Sequence, residues 1–144
     1  MKKGLLGILT LLILIFDLMT KSAAVLNGSA VMNTGISFGL FKGMSPMWHM
    51  LFTVVIITCI ILLFQIIEPD KYNTAGAAMM AAGALGNLFD RIFLGYVRDW
   101  LFVPFSKQIF TEGLCMNIAD AALIIGAILI FISFIQSIFT LKLR

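Results

Sequence analysis

Apolar residues in this chain fall into four long runs with polar punctuation between them. The first extends from about Gly4 to Ala24, interrupted by Asp17 and Lys21, and at roughly 20 residues it has the length of a bilayer-spanning helix. Lys2-Lys3 before it and Ser22-Ala23-Ala24 after it have the outline of a secretory leader, but the run continues too far past Asp17 for a leader's short apolar core. Trp48 to Ile67 forms a second run without Asp, Glu, Lys or Arg, flanked by Trp48 and His49 at one end and by Glu68-Pro69-Asp70-Lys71 at the other. The third, about Tyr72 to Phe93, differs in kind. Gly76 with Met80, the set Ala77, Ala81 and Leu85, and the set Ala78, Ala82 and Gly86 recur at helical spacing, and small residues let helix backbones approach closely. The fourth spans about Asn117 to Leu141 and ends in Lys142 and Arg144.

The segments between the runs are of two kinds. From Leu26 to Met47 the chain is polar and glycine-rich, and Asn27-Gly28 predicts a hairpin turn, with Ala30-Val31-Met32 and Ile36-Ser37-Phe38 as short strands beside the membrane. From Leu94 to Met116, Trp100, Phe102, Phe105 and Phe110 alternate with Arg98, Lys107 and Glu112, which suits a segment lying among lipid headgroups. The expected architecture is an all-α membrane protein, a single domain over residues 1–144. It is a four-transmembrane-helix bundle with a small extramembrane β/loop element after helix 1 and an interfacial loop between helices 3 and 4.

Composition makes this reading hard to escape. With 61% hydrophobic residues, 12% charged residues and a mean hydropathy of +1.08, too little polar surface exists to cover a water-soluble core. The net charge of +3 comes from isolated Lys and Arg near segment ends, so there is no nucleic-acid-binding stripe, and membrane lipids are the natural partners of these cations. Two unpaired-looking cysteines, Cys59 and Cys115, and a single histidine, His49, offer no zinc pattern. Gly35-Ile36-Ser37-Phe38-Gly39 has the letters of a nucleophile elbow, but neither the flanking strand and long helix nor a suitable histidine accompanies it.

Carboxylates are the remaining source of chemistry. Four spans put both termini on one membrane side and gather Asp17, Lys21, Asn33, Asp90, Asp99 and Asp120 at the opposite face. Ionisable residues at membrane depth are costly and mark function by default. Several have a blander account. Asp17 and Lys21, at i and i+4 with the acid first, can neutralise each other. Asn87 and Arg91 can satisfy Asp90, while Asn117 and Asp120 can cap the fourth helix. Two carboxyls sharing a low-dielectric site hold one proton between them and can activate a water and protonate a leaving amine. Position alone leaves the pair open among Asp17, Asp90, Asp99 and Asp120.

Five motifs in order resemble the bacterial lipoprotein signal peptidases (signal peptidase II), four-helix inner-membrane aspartic proteases. They are Asp17-Leu18-Met19-Thr20-Lys21 on the first helix, Asn33-Thr34-Gly35 in the first loop, Gly83 to Arg91 on the third helix, Gly95-Tyr96-Val97-Arg98-Asp99, and Asn117-Ile118-Ala119-Asp120. The resemblance covers essentially the whole chain. It implies a catalytic pair of Asp99 and Asp120, with Asn87, Asp90, Arg91 and Asn117 supporting the site. Asp17, Lys21, Asn33 and Gly35 take structural or substrate-contact roles. It further implies no metal or cofactor, diacylglyceryl-modified prolipoproteins as substrates, cleavage just before the lipidated cysteine, and the cytoplasmic (inner) membrane as the setting; a monomer is expected, with the oligomeric state left open by the sequence. The termini are then cytoplasmic and the active site lies near the outer face.

The chain departs from the pattern in places. Arg98 stands where an apolar residue is usual, Trp100 follows Asp99, Met32 replaces a basic residue, and Ile36-Ser37 stand where small residues are common. Only eleven residues separate Lys21 from Asn33, so the extramembrane β platform is expected to be reduced. If Gly95 to Leu101 is extended, alternation sends Arg98 to the headgroups and Asp99 to the site. Two other classes compete with the enzyme: an ion- or proton-coupled transporter, which would instead ladder its carboxylates through the bilayer, and a non-catalytic lipoprotein-binding homologue.

Overall fold

A computed structural model of the chain describes residues 3–35, 45–66, 70–108 and 113–142. Its helices are α1 (Lys3–Leu26), α2 (Pro46–Ile66), α3 (Lys71–Leu94) and α4 (Ile118–Lys142), each within a few residues of the expected run. Stretches within three of them, Leu6–Leu26, Lys71–Leu94 and Ile118–Phe139, are long and apolar enough to cross a membrane, while α2 carries a shorter apolar stretch, Met50–Cys59. The chain is a membrane protein of four helices.

Its packing follows from having hydrocarbon as solvent. Large apolar side chains such as Leu12, Phe16, Phe52, Phe93, Phe131 and Phe139 face outward, and the largest fully buried side chains are Lys21, Val97, Asn117, Asp17, Asp90 and Asp99. Lipid gives apolar groups no reason to hide, so small residues and polar contacts bring the helices together. A methyl group added at Gly76 would meet the Gly126 carbonyl oxygen at 2.6 Å, and one added at Gly126 would meet the Gly76 carbonyl oxygen at 2.6 Å. Further along, Gly83 lies directly against the Ala119 carbonyl. The buried face of α3 is completed by Ala77, Ala78, Ala82 and Ala84.

Helix ends are set by local chemistry. Asp70 caps α3, accepting from the N–H groups of Tyr72 (2.6 Å) and Asn73 (2.8 Å), while the Asn73 side chain accepts from the Asp70 N–H at 2.9 Å. The other Asp70 oxygen takes a hydrogen bond from Ser133 Oγ, fixing the start of α3 to α4. Gly95, at φ 79°, closes α3 with its N–H on Arg91 O.

The predicted hairpin after helix 1 is corrected by the structure. Asn27-Gly28 terminates α1: Gly28 adopts φ 67°, and the N–H groups of Gly28 and Ser29 return to Val25 O (3.1 Å) and Ala24 O (2.9 Å). With the turn consumed as a helix cap, strand β1 (Val31–Asn33) finds a distant partner. It pairs antiparallel with β2 (Val97–Asp99), Val31 opposite Asp99 and Asn33 opposite Val97. The expected strand at 36–38 lies outside the described residues. The segment between α3 and α4 is also more regular than a headgroup loop. After β2, β3 (Leu101–Phe102) pairs antiparallel with β4 (Cys115–Met116), and a 3-10 turn covers Ser106–Gln108. The β element thus belongs jointly to both extramembrane segments.

Candidate active site

The C-terminal ends of α1 and α3, the N-terminus of α4 and the β1–β2 pair meet at one end of the bundle, and all ten residues nominated by the sequence join one connected polar network there. At its centre is Asn117. Its Oδ1 accepts the Asp120 N–H at 2.9 Å and Asp120 Oδ2 accepts the Asn117 N–H at 3.3 Å, a reciprocal cap on α4. The same Asn117 donates from Nδ2 to Asp99 Oδ1 (2.6 Å) and to Asn87 Oδ1 (3.1 Å). The capping account of Asn117 and Asp120 is therefore correct and incomplete, because the cap also reaches Asp99.

Asp99, on β2, is 1% exposed. Asn33 Nδ2 donates to its other oxygen at 2.8 Å, and Asn33 Oδ1 accepts the Gly35 N–H at 2.8 Å, which holds the asparagine in a side-chain-closed turn. Burial pushes the Asp99 carboxyl up to about 6; the neighbouring Asp120 charge adds to this, and the amides of Asn33 and Asn117 oppose it. Asp120 is only half-buried and accepts from Asn87 Nδ2 at 2.8 Å. Two carboxyls in unequal surroundings, coupled through one asparagine, form a pair able to hold a single proton.

A second layer consists of buried charge. Lys21 is fully buried, with Nζ 2.7 Å from Asp17 Oδ2, 3.5 Å from Asp90 Oδ2 and donating to Asn87 Oδ1 at 3.0 Å. The intrahelical pair is thus present, and it does more than neutralise itself. Asp17 Oδ1 accepts the Ala119 N–H at 2.8 Å, tying α1 to the turn of α4 that carries Asp120. That approach requires Gly86, where an added methyl would stand 2.6 Å from Asp17 Oδ2.

Asp90 is satisfied differently from expectation. Its strongest partner is Arg98, with NH2 2.7 Å from Oδ1 and Nε 3.2 Å from both oxygens, and the Arg98 main-chain N–H adds a bond to Oδ2 at 3.0 Å. Arg91 instead donates to Gly35 O (3.2 Å) and Asn87 O (3.4 Å), closing the turn around Asn33. The expectation that Arg98 reaches for headgroups is therefore corrected. Alternation along β2 does send it away from Asp99, but its side chain is only 12% exposed and turns to Asp90, because a buried carboxylate needs a countercharge. Ser22, which receives Arg98 NH1 at 3.2 Å, and the Ala119 amide were not singled out by the sequence. Nothing in a serine or in a main-chain N–H distinguishes it before the fold is known.

Comparison with known proteins assigns the chain a lineage. The sequence model of the family described as signal peptidase (SPase) II matches residues 9–136. The chain belongs to the signal peptidase II family. It is 38% identical over 108 residues to a lipoprotein signal peptidase of Blochmanniella pennsylvanica and 35% identical over 101 residues to one of Enterococcus faecalis, covering 72% and 69% of this chain. Those matches span 64% and 59% of the two relatives' lengths. A lipoprotein signal peptidase of Francisella tularensis subsp. novicida is 31% identical over 154 residues, covering 94% of this chain and 92% of the relative. Two solved bacterial membrane enzyme structures share the fold. One has a TM-score of 0.78 at 24% identity, covering 93% of this chain and 89% of the other; the second has 0.73 at 25%, covering 92% and 93%.

Proposed function

We propose that this member of the signal peptidase II family is an aspartic endopeptidase that removes signal peptides from diacylglyceryl-modified prolipoproteins, cutting before the lipidated cysteine, with Asp99 and Asp120 as its catalytic pair. The observation that carries the reading is the bridge through Asn117, whose side-chain amide donates to a carboxyl raised to about 6 on β2 and whose main-chain N–H donates to a second carboxyl at the start of α4. Asp120 takes the ionised role, since it sits at the positive end of a helix dipole and receives the Asn117 N–H and the Asn87 amide. Asp99 takes the protonated role.

In the reaction so assigned, Asp120 removes a proton from a water whose oxygen attacks the scissile carbonyl carbon, while Asp99 gives its proton to the carbonyl oxygen. The neutral gem-diol collapses as the C–N bond breaks. The leaving amine takes the proton from Asp120, and a gem-diol hydroxyl returns one to Asp99, restoring the starting state. The other nominated residues support this pair. Asn87 and Asn117 orient it, Asn33 and Gly35 with Arg91 shape the adjoining turn, and Asp17, Lys21 and Asp90 fix the helices around it. The proposed setting is the bacterial cytoplasmic membrane, with both termini inside and the site toward the outer face.

The test is cleavage. Purified protein in detergent should shorten a diacylated prolipoprotein in the presence of EDTA, and Asp99→Asn and Asp120→Asn should each abolish turnover while remaining folded. A folded wild-type protein inert toward a substrate of verified lipidation, or near-normal turnover in either variant, would overturn the assignment.

A further inference from the structure

Strand β2 holds Asp99 with little support of its own. It is three residues long, and its only strand partner among the described residues is the equally short β1. Two-stranded pairs of this size are marginal in isolation. The carboxylate of Asp90 supplies what is missing. It accepts the Arg98 N–H at 3.0 Å, one residue from Asp99, and the guanidinium of the same residue closes on both oxygens of that carboxylate. Through NH1 the side chain also reaches Ser22 Oγ on α1 at 3.2 Å. One arginine therefore ties β2 to α3 by main chain and side chain together, and to α1 by its far end.

Charge gives the clamp its second role. By formal charge the buried cluster sets two carboxylates, Asp17 and Asp90, against one ammonium, Lys21, at 2.7 and 3.5 Å from them. Arg98 is the second cation and brings the group of four to neutrality. Arg91 adds no direct bond to Asp90 among those formed in the cluster; it is engaged with Gly35 O and Asn87 O. A guanidinium suits this position because its planar fork matches a carboxylate and its charge survives burial, where an ammonium offers a point charge.

We propose that Arg98 is a positioning residue for Asp99: by clamping Asp90 with its amide and guanidinium it holds the strand that presents the carboxyl to Asn117 and Asp120. The proposal rests on the aspartic-peptidase reading for its kinetic arm and stands independently of it for its structural arm.

Two measurements on detergent-solubilised full-length protein decide it. In Arg98→Val, hydrogen exchange of segment 95–101 should accelerate at least tenfold while that of α3 and α4 stays within twofold of wild type. With a diacylated prolipoprotein as substrate, kcat should fall tenfold or more with KM within twofold, and Arg98→Lys should recover part of kcat. Should Arg98→Val fail to fold, Arg98→Lys is read alone: a kcat two- to fivefold below wild type at constant KM supports the clamp, and a wild-type kcat overturns it. Unchanged exchange in 95–101 overturns the clamp. Accelerated exchange with wild-type kcat overturns its role in positioning Asp99. A folded wild-type protein that cleaves nothing counts against the peptidase reading, and the exchange data then judge the clamp by themselves.

Discussion

Asn117 donates to Asp99 Oδ1 at 2.6 Å, the shortest side-chain amide contact in the site, from the residue that also caps the helix bearing Asp120. The cap on α4 and the link between the two carboxyls are thus one object. Asn117→Ala should lose about 1 kcal/mol of stability as a missing cap. It should lose activity far beyond that, about 100-fold in kcat, because Asp99 and Asp120 are no longer held in one frame. Asn117→Ser, which can still cap, should recover thermal stability without recovering turnover. Recovery of both would show that the cap alone matters.

The raised Asp99 carboxyl sets a pH dependence with a definite sign. A carboxyl at about 6 keeps its proton below that pH and loses it above. If the reaction needs one proton on the pair, kcat/KM should decline on the alkaline side with an apparent value near 6 belonging to the pair. Replacing Asp120 by Asn removes the charge that adds to the effect of burial, so Asp99 should titrate lower in that variant. Carbon-13 NMR of the Asp99 carboxyl measures this directly, and an unchanged or higher value would separate the two groups electrostatically.

Gly83 tests the packing that brings α4 to the site. Its added methyl would press on the Ala119 carbonyl and stand 2.9 Å from Leu123 Cγ, so α3 and α4 must separate beside Asp120. Gly83→Ala should cost about 1–3 kcal/mol by overpacking and reduce turnover with it. Gly4→Ala, where an added methyl meets nothing within 4 Å, should leave both intact. Thermal unfolding in detergent compares the two, and equal midpoints would remove the close-approach argument.

Asp70 stands at the opposite end of the bundle from the site. Its carboxyl caps α3 and receives Ser133 Oγ from α4. Asp70→Ala should destabilise the protein by about 1 kcal/mol or more through the lost cap, leaving kcat of the folded fraction near wild type. A selective fall in kcat with normal stability would mean that this end communicates with the chemistry.

Much of this was legible in the chain alone, for reasons of solvent. Hydrocarbon requires continuous apolar runs, so four helices stood out to within a few residues of their ends, and any carboxylate inside or beside them announced itself. The i, i+4 relation of Asp17 and Lys21 is local to one helix and was readable for that reason, as was the cap formed by Asn117 and Asp120. The motif resemblance singled out Asp99 and Asp120, where position alone left four aspartates open. Partners across distant segments were decided only in three dimensions. Asn27-Gly28 has the same letters whether it turns a hairpin or ends a helix, and only the pairing of β1 with β2, between residues 66 or so apart in sequence, settled which. Arg98 could be assigned a face from strand alternation, but its destination depended on Asp90 being buried and within reach from another element. Sequence carries periodicity and cost; which cation satisfies which buried carboxylate is a property of the packed bundle, where burial makes the pairing obligatory and distance selects the partner.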